Sequence, residues 1–132
     1  MVESERAGVS ALAAEIDRVA RRLRGLSQAR LRQPLPPYGT VADAGHRLAQ
    51  LLADAALGVE HRADAHPASR PVPRLRDTAV ADQVAVTGHD LLAALADLPA
   101  DTQVWHEERQ LPAADLVAAT HATTRAIKLA ID

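Results

Sequence analysis

Apolar side chains recur at intervals of three and four residues in separate segments of the chain, the spacing that places them on one face of an α-helix. The pattern predicts helices over about residues 4–25, 40–62, 77–98 and 112–131. Amphipathic helices of this length, joined by short links, are typical of an antiparallel up-down four-helix bundle. We therefore expect one all-α domain over residues 1–132; the alternative is a three-helix bundle whose first helix swaps into a partner. The main inward-facing positions are Val9, Leu12, Ile16, Val19, Leu23, Leu26, Val41, Ala44, Leu48, Leu51, Leu52, Ala55, Val59, Val80, Val84, Leu91, Leu95, Leu98, Ala113, Leu116, Val117, Thr120, Thr124, Ile127 and Ile131.

The segments between the predicted helices contain residues that indicate where helices end and begin. Three prolines between residues 33 and 39 exclude a helix there, because proline lacks the N–H donor and fixes φ. Thr40 followed by Asp43 resembles a capping box at the start of the second helix. Pro112 suits the first position of the fourth helix. Residues 100–110 are polar around Val104 and Trp105, and we expect one short helical turn in this stretch.

Composition narrows the fold class. Alanine is the commonest residue, with 29 of 132 positions, phenylalanine and cysteine are absent, and Tyr38 and Trp105 are the only aromatic residues. A β-sandwich or barrel needs aromatic and β-branched residues to fill its faces, so the composition argues against both. The lack of cysteine excludes disulfide scaffolds and thiolate zinc sites.

A second small-residue stripe follows the second and third helices, outside their core faces. On the second helix it contains Ala42, His46, Ala49, Ala53 and Leu57. Small side chains let helix backbones approach closely, and an apolar arc wider than one face indicates contact on a second side. The stripe predicts a homodimer packed through these helices; the alternative is that alanine is common here because it favours helices on any surface.

Charge and hydropathy set limits on the partners. The net charge is -2, and the arginine-rich segments have no interleaved aromatic residues, so we do not expect nucleic-acid binding. No apolar run reaches the length of a membrane span, and the first residues do not resemble a secretory signal. We therefore expect a cytoplasmic protein that does not bind a membrane.

Three histidines fall on three different predicted helices, at His46, His89 and His121. Imidazoles on facing helices can build a metal site, and the helical rise allows these three to share a layer. The helical wheel turns His46 and His89 away from the core. We therefore expect no cofactor; the alternative is that these histidines bind a divalent transition metal.

Two short segments of the sequence resemble parts of a known protein family. Residues 40–48 (TVADAGHRL) resemble the helix that supplies the first metal-binding histidine in the DinB-like superfamily of helical bundles, which includes the mycothiol-dependent maleylpyruvate isomerases. Residues 87–92 (TGHDLL) resemble the later histidine-aspartate segment of that family. His46 stands three residues after Asp43 where the family has four, and Ala85 replaces an acidic ligand. The resemblance implies a degenerate metal-dependent or thiol-dependent transferase or isomerase.

A candidate surface lies where the first and third connections of an up-down bundle would meet. This end would hold Tyr38, Trp105, His106, Glu107 and Arg109. Aromatic and arginine side chains are enriched in binding sites, so the surface predicts contact with a small ligand or a protein. The alternative is that Trp105 caps the open end of the bundle.

No nucleotide-binding or hydrolase motif is present, and we assign no catalytic residue. The sequence favours a protein that is not an enzyme and that acts through protein–protein contacts as a homodimer. The degenerate DinB-like enzyme and a small-ligand binder at the Tyr38 and Trp105 end are the alternatives.

Overall fold

In the computed structural model of the protein, the backbone is described for residues 2–132 and the side chains for residues 6–132. Most of this chain is helical, and one small antiparallel hairpin precedes the last helix. A short 3-10 turn, Asp77–Ala79, leads into α4. The elements are α1 (Val2–Arg24), α2 (Gln28–Leu31), α3 (Val41–Glu60), α4 (Val80–Leu95), β1 (Gln103–His106), β2 (Arg109–Pro112) and α5 (Ala113–Ile131).

The predicted helices correspond to α1, α3, α4 and α5, so a mostly helical protein is confirmed. A purely all-α bundle is not confirmed, because residues 103–112 form a β-hairpin where the sequence predicts a helical turn. Val104 is fully buried and pairs with Leu111, whereas Gln103 beside it is exposed. Strands of four residues are too short for this two-residue alternation to be read from sequence.

The predicted capping box at the start of α3 is present. The Thr40 side chain accepts a hydrogen bond from the Asp43 N–H at 3.1 Å, and Asp43 Oδ2 accepts one from the Thr40 N–H at 2.9 Å. The second bond is the main reason that the pKa of the Asp43 carboxyl lies below its usual value, and Arg74 lowers it further. This reciprocal pair fixes where α3 begins.

A long crossover gives α4 the opposite direction to the predicted one. Residues 61–76 leave the end of α3 and run back along it, and the Val72 N–H donates to Gln50 Oε1 at 2.7 Å. α4 then begins beside the start of α3, since a methyl group built on Gly45 would lie 2.7 Å from Val80 Cγ2. α3 and α4 are therefore parallel, which differs from the antiparallel up-down order. The connection is long enough to return along the helix, because extended chain covers roughly twice as much distance per residue as helix.

The same crossover covers the second stripe of α3. His46 Nε2 lies 3.0 Å from the Val72 carbonyl oxygen, and Ser69 Oγ donates to Asp54 Oδ1 at 2.7 Å. Ala42 and Ala49 of this stripe are buried. On α3, part of the face that the sequence assigned to a partner therefore contacts the chain's own crossover. The homodimer stays a prediction.

The long helices pack in a ring. α1 and α3 each pack against both α4 and α5, and the hairpin packs against α3 and α5. Leucine, valine and alanine side chains from all four helices fill the centre, and Val104 from β1 joins them. No helix of the described chain is long and apolar enough to cross a membrane.

Candidate functional site

An apolar cavity of about 350 Å³ lies where the first half of α5 meets the first half of α1, the end of α4 at Leu95 and the segment that follows it. Its walls are apolar except for one imidazole. The lining residues are Gly8, Val9, Ala11, Leu95, Leu98, Ala100, Ala113, Ala114, Val117, Ala118 and His121. A concave, mostly apolar space with a single polar group is the usual form of a small-molecule site.

Small side chains explain why this space is open. Alanine and glycine occupy more than half of the lining positions, and phenylalanine, which could fill the gap from α1 or α5, is absent from the chain. Gly8 illustrates the loose fit, because a methyl group built on it would first meet Val117 at an ordinary contact distance of 3.7 Å. The alanine-rich composition that favours close helix packing elsewhere therefore leaves an open pocket at this end.

The polar wall of the cavity is backed by a buried carboxylate. Glu15 on α1 is only 4% exposed, and its Oε1 lies 3.9 Å from His121 Nε2. Its Oε2 accepts a hydrogen bond from Arg18 Nε at 3.1 Å. A buried carboxylate needs such partners, because an unpaired charge away from water is costly. The chain Arg18, Glu15 and His121 joins α1 to α5 beside the cavity.

A second space adjoins the first and shares three of its lining residues, Val9, Leu95 and Leu98. This neighbouring space of about 550 Å³ also contains the charged side chains of Arg6 and Asp97. The apolar cavity therefore has a wider, polar region next to it.

The predicted aromatic site is divided between the two ends of the protein. Tyr38 lies at the start of α3, where Arg47 sits over its ring at 5.9 Å. Trp105 lies near the end of α3, since a methyl group on Gly58 would overlap the Trp105 carbonyl. These ends are roughly 30 Å apart at 1.5 Å per residue. The expectation that the first and third connections meet is wrong, because the crossover returns the chain before α4 begins.

Trp105 instead borders a groove of about 290 Å³ between the crossover and the hairpin. Its indole N–H donates to the Asp64 carbonyl at 3.1 Å, and the His66 ring packs against the indole nearly at a right angle. His66 also contacts the Glu107 carbonyl. Of the other predicted residues, His106 Nε2 lies 3.9 Å from Glu107 Oε1, while Arg109 is exposed on β2.

The three histidines of the predicted metal site have separate surroundings. His46 contacts the crossover, His89 is exposed on α4, and His121 lies beside Glu15. Within the part of the chain that the structure describes, no group of three or more histidine, cysteine, aspartate and glutamate side chains could hold a metal ion. The metal site and the DinB-like relationship stay predictions that these positions do not test.

Sequence reasoning placed His121 in a metal site and did not single out Glu15. A signal for Glu15 was present, because it falls three residues after Leu12 and four before Val19, on the inward face of α1. A charged residue inside an apolar stripe predicts a buried polar contact.

Comparison of the chain with family models, curated proteins and solved structures gives no match.

Proposed function

We propose that the protein binds a small, mostly apolar molecule in the cavity between α1, α4 and α5, in the cytoplasm and with the bundle of long helices as its scaffold. The cavity itself carries this proposal: about 350 Å³ of apolar space with one imidazole on its wall. The pocket is open to solvent beside Ala11, Ala114 and Ala118, so a ligand can enter without unfolding a helix. Contact of an apolar ligand with these walls removes apolar surface from water, which favours binding.

The volume sets the size of the ligand. A dry cavity of about 150 Å³ accommodates benzene, so the larger space here suits a bicyclic aromatic compound or a short branched hydrocarbon. About ten non-hydrogen atoms at roughly 0.5 kcal/mol each give about 5 kcal/mol of binding free energy, or a Kd of about 0.2 mM for an unoptimised probe. His121 is the group that can hydrogen-bond one polar atom of such a ligand.

A titration with 2-naphthol tests the proposal. We expect saturable binding by calorimetry, at a Kd near the estimate above. Ala118→Leu places three extra carbon atoms into the cavity from an exposed position and should weaken binding at least about tenfold. Ala122→Leu adds the same atoms one turn along α5, at an exposed position outside the cavity, and should leave the Kd unchanged.

The two variants distinguish binding in this cavity from binding elsewhere on the protein. Equal weakening by both variants, or none by Ala118→Leu, contradicts binding in this cavity. The homodimer predicted from the stripe on the second and third helices is a separate prediction, on which binding in this cavity does not depend.

A further inference from the structure

The folded chain separates its charges into two ends. The basic end comprises the second halves of α1 and α5, the first halves of α3 and α4, and the connections between them at that side. Its formal balance is +5, with histidines counted as neutral. The basic residues there are Arg18, Arg21, Arg22, Arg24, Arg30, Arg32, Arg47, Arg74, Arg76, Arg125 and Lys128, and the acidic ones are Glu15, Asp17, Asp43, Asp77, Asp82 and Asp132.

The acidic end comprises the opposite halves of the same helices, together with residues 61–66 and 96–112. Among the described side chains its balance is -6, and all nine of its carboxylates are exposed. The acidic residues are Asp54, Glu60, Asp64, Asp90, Asp97, Asp101, Glu107, Glu108 and Asp115, and the basic ones are Arg6, Arg62 and Arg109. Arg70 lies midway, level with Gln50.

Local pairing does not cancel this separation. At the basic end every acidic side chain has a basic partner within the same end, for example Asp82 with Arg24 at 2.9 Å. Arg32 and Arg76 are exposed and have no ion-pair partner among the described residues. At the acidic end, the described residues form no ion pair between an arginine and a carboxylate.

The acidic end also has a place for a guanidinium group. The groove between the crossover and the hairpin combines the Trp105 indole with the carboxylates of Asp54, Glu107 and Glu108. An arginine over an indole gains cation–π attraction, and nearby carboxylates add to it. Within the basic end, α2 packs beside the 3-10 turn, which brings Arg32 and Arg76 onto adjoining elements.

We infer that copies of this chain associate head to tail, with Arg32 or Arg76 of one copy entering the Trp105 groove of the next. Charge complementarity between the two ends of one sequence selects a second copy as the occupant. A head-to-tail contact joins two different surfaces, so an open chain of copies keeps one free surface of each kind at its ends and can grow until a ring closes. The mass should therefore rise with protein concentration and should not stop at a dimer. This inference does not depend on the apolar cavity.

Sedimentation velocity at two ionic strengths tests it. At about 0.01 M salt, where charges act over roughly 30 Å, the weight-average mass should exceed 14.0 kDa and rise with protein concentration. At about 1 M salt, where the range is roughly 3 Å, the mass should return to 14.0 kDa. A mass of 14.0 kDa at both ionic strengths overturns the inference.

Charge-swap variants identify the surfaces. The basic-end pair Arg32→Glu and Arg76→Glu, and separately the acidic-end pair Glu107→Lys and Glu108→Lys, should each weaken association at least about tenfold. An equal mixture of the two double variants should associate again, because each unlike contact then joins opposite charges. Arg109→Glu removes a positive charge from the acidic end and should not weaken association. Association that survives both double variants, or a mixture that stays monomeric, contradicts the head-to-tail contact.

Discussion

Two glycine-to-alanine substitutions in helices should change stability in opposite directions. A methyl group on Gly88 of α4 would lie 2.6 Å from Ile16 Cγ2 on α1, about 1 Å inside a normal carbon–carbon contact. Gly8 of α1 has room, because its nearest neighbour is Val117 Cγ1 at 3.7 Å. Replacing glycine by alanine inside a helix gains about 0.5–1 kcal/mol.

For Gly88→Ala that gain is outweighed by overpacking at a buried helix crossing, which costs about 1–3 kcal/mol. We expect Gly88→Ala to lose about 1 kcal/mol and Gly8→Ala to gain about 0.5–1 kcal/mol, a difference of about 2 kcal/mol. Urea unfolding at 25 °C measures it: with a slope of about 1.5 kcal/mol per molar, the two midpoints should differ by about 1 M. A Gly88→Ala variant as stable as Gly8→Ala would refute the close approach of α1 to α4.

Three further substitutions give independent checks. Glu107 has φ +58 in the hairpin turn, so Glu107→Gly should raise the melting temperature by relieving about 0.5–1 kcal/mol of strain; a lower melting temperature would contradict this. Asp43→Ala should cost about 1 kcal/mol at pH 7 by breaking the capping box with Thr40. Because the pKa of Asp43 is lowered on folding, its stabilisation is present above pH 3.8 and is lost as the pH falls through the lower pKa of the folded state. The urea midpoints of the wild-type protein and of Asp43→Ala should therefore converge below pH 3.8; a constant difference between them would contradict the assignment. Gly58→Ala would force the Trp105 carbonyl aside and should cost about 2 kcal/mol with a red-shifted tryptophan emission; unchanged emission would argue against the hairpin's position on α3.

Local periodicity was sufficient to find the long helices. The stripes from Val9 to Leu23 and from Val41 to Val59 mark the buried faces of α1 and α3, because helical spacing alone decides which residues face the core. The capping box at Thr40 was also visible, since it depends on residues three apart. The helical stripes and the capping box both depend on residues within a few helical turns of each other in the sequence.

The order of the helices in space depends on contacts that no local pattern contains. The crossover is held by bonds such as Val72 N–H to Gln50 Oε1, between residues 22 positions apart. Without that information, the shortest connection predicts antiparallel neighbours, and Tyr38 is placed beside Trp105. The cavity was missed for the same reason, because Gly8, Leu95 and Val117 become neighbours only after α4 takes its direction.

Intermolecular nuclear Overhauser effects between bound 2-naphthol and assigned methyl groups test the central proposal most directly. Ligand binding between α1, α4 and α5 predicts cross-peaks from the naphthol protons to the methyl groups of Val9, Leu95 and Val117, which line the cavity. Leu75, which is 54% exposed on the crossover, should show none. Cross-peaks to Leu75 alone, or none to the cavity methyl groups at saturating 2-naphthol, would contradict the account.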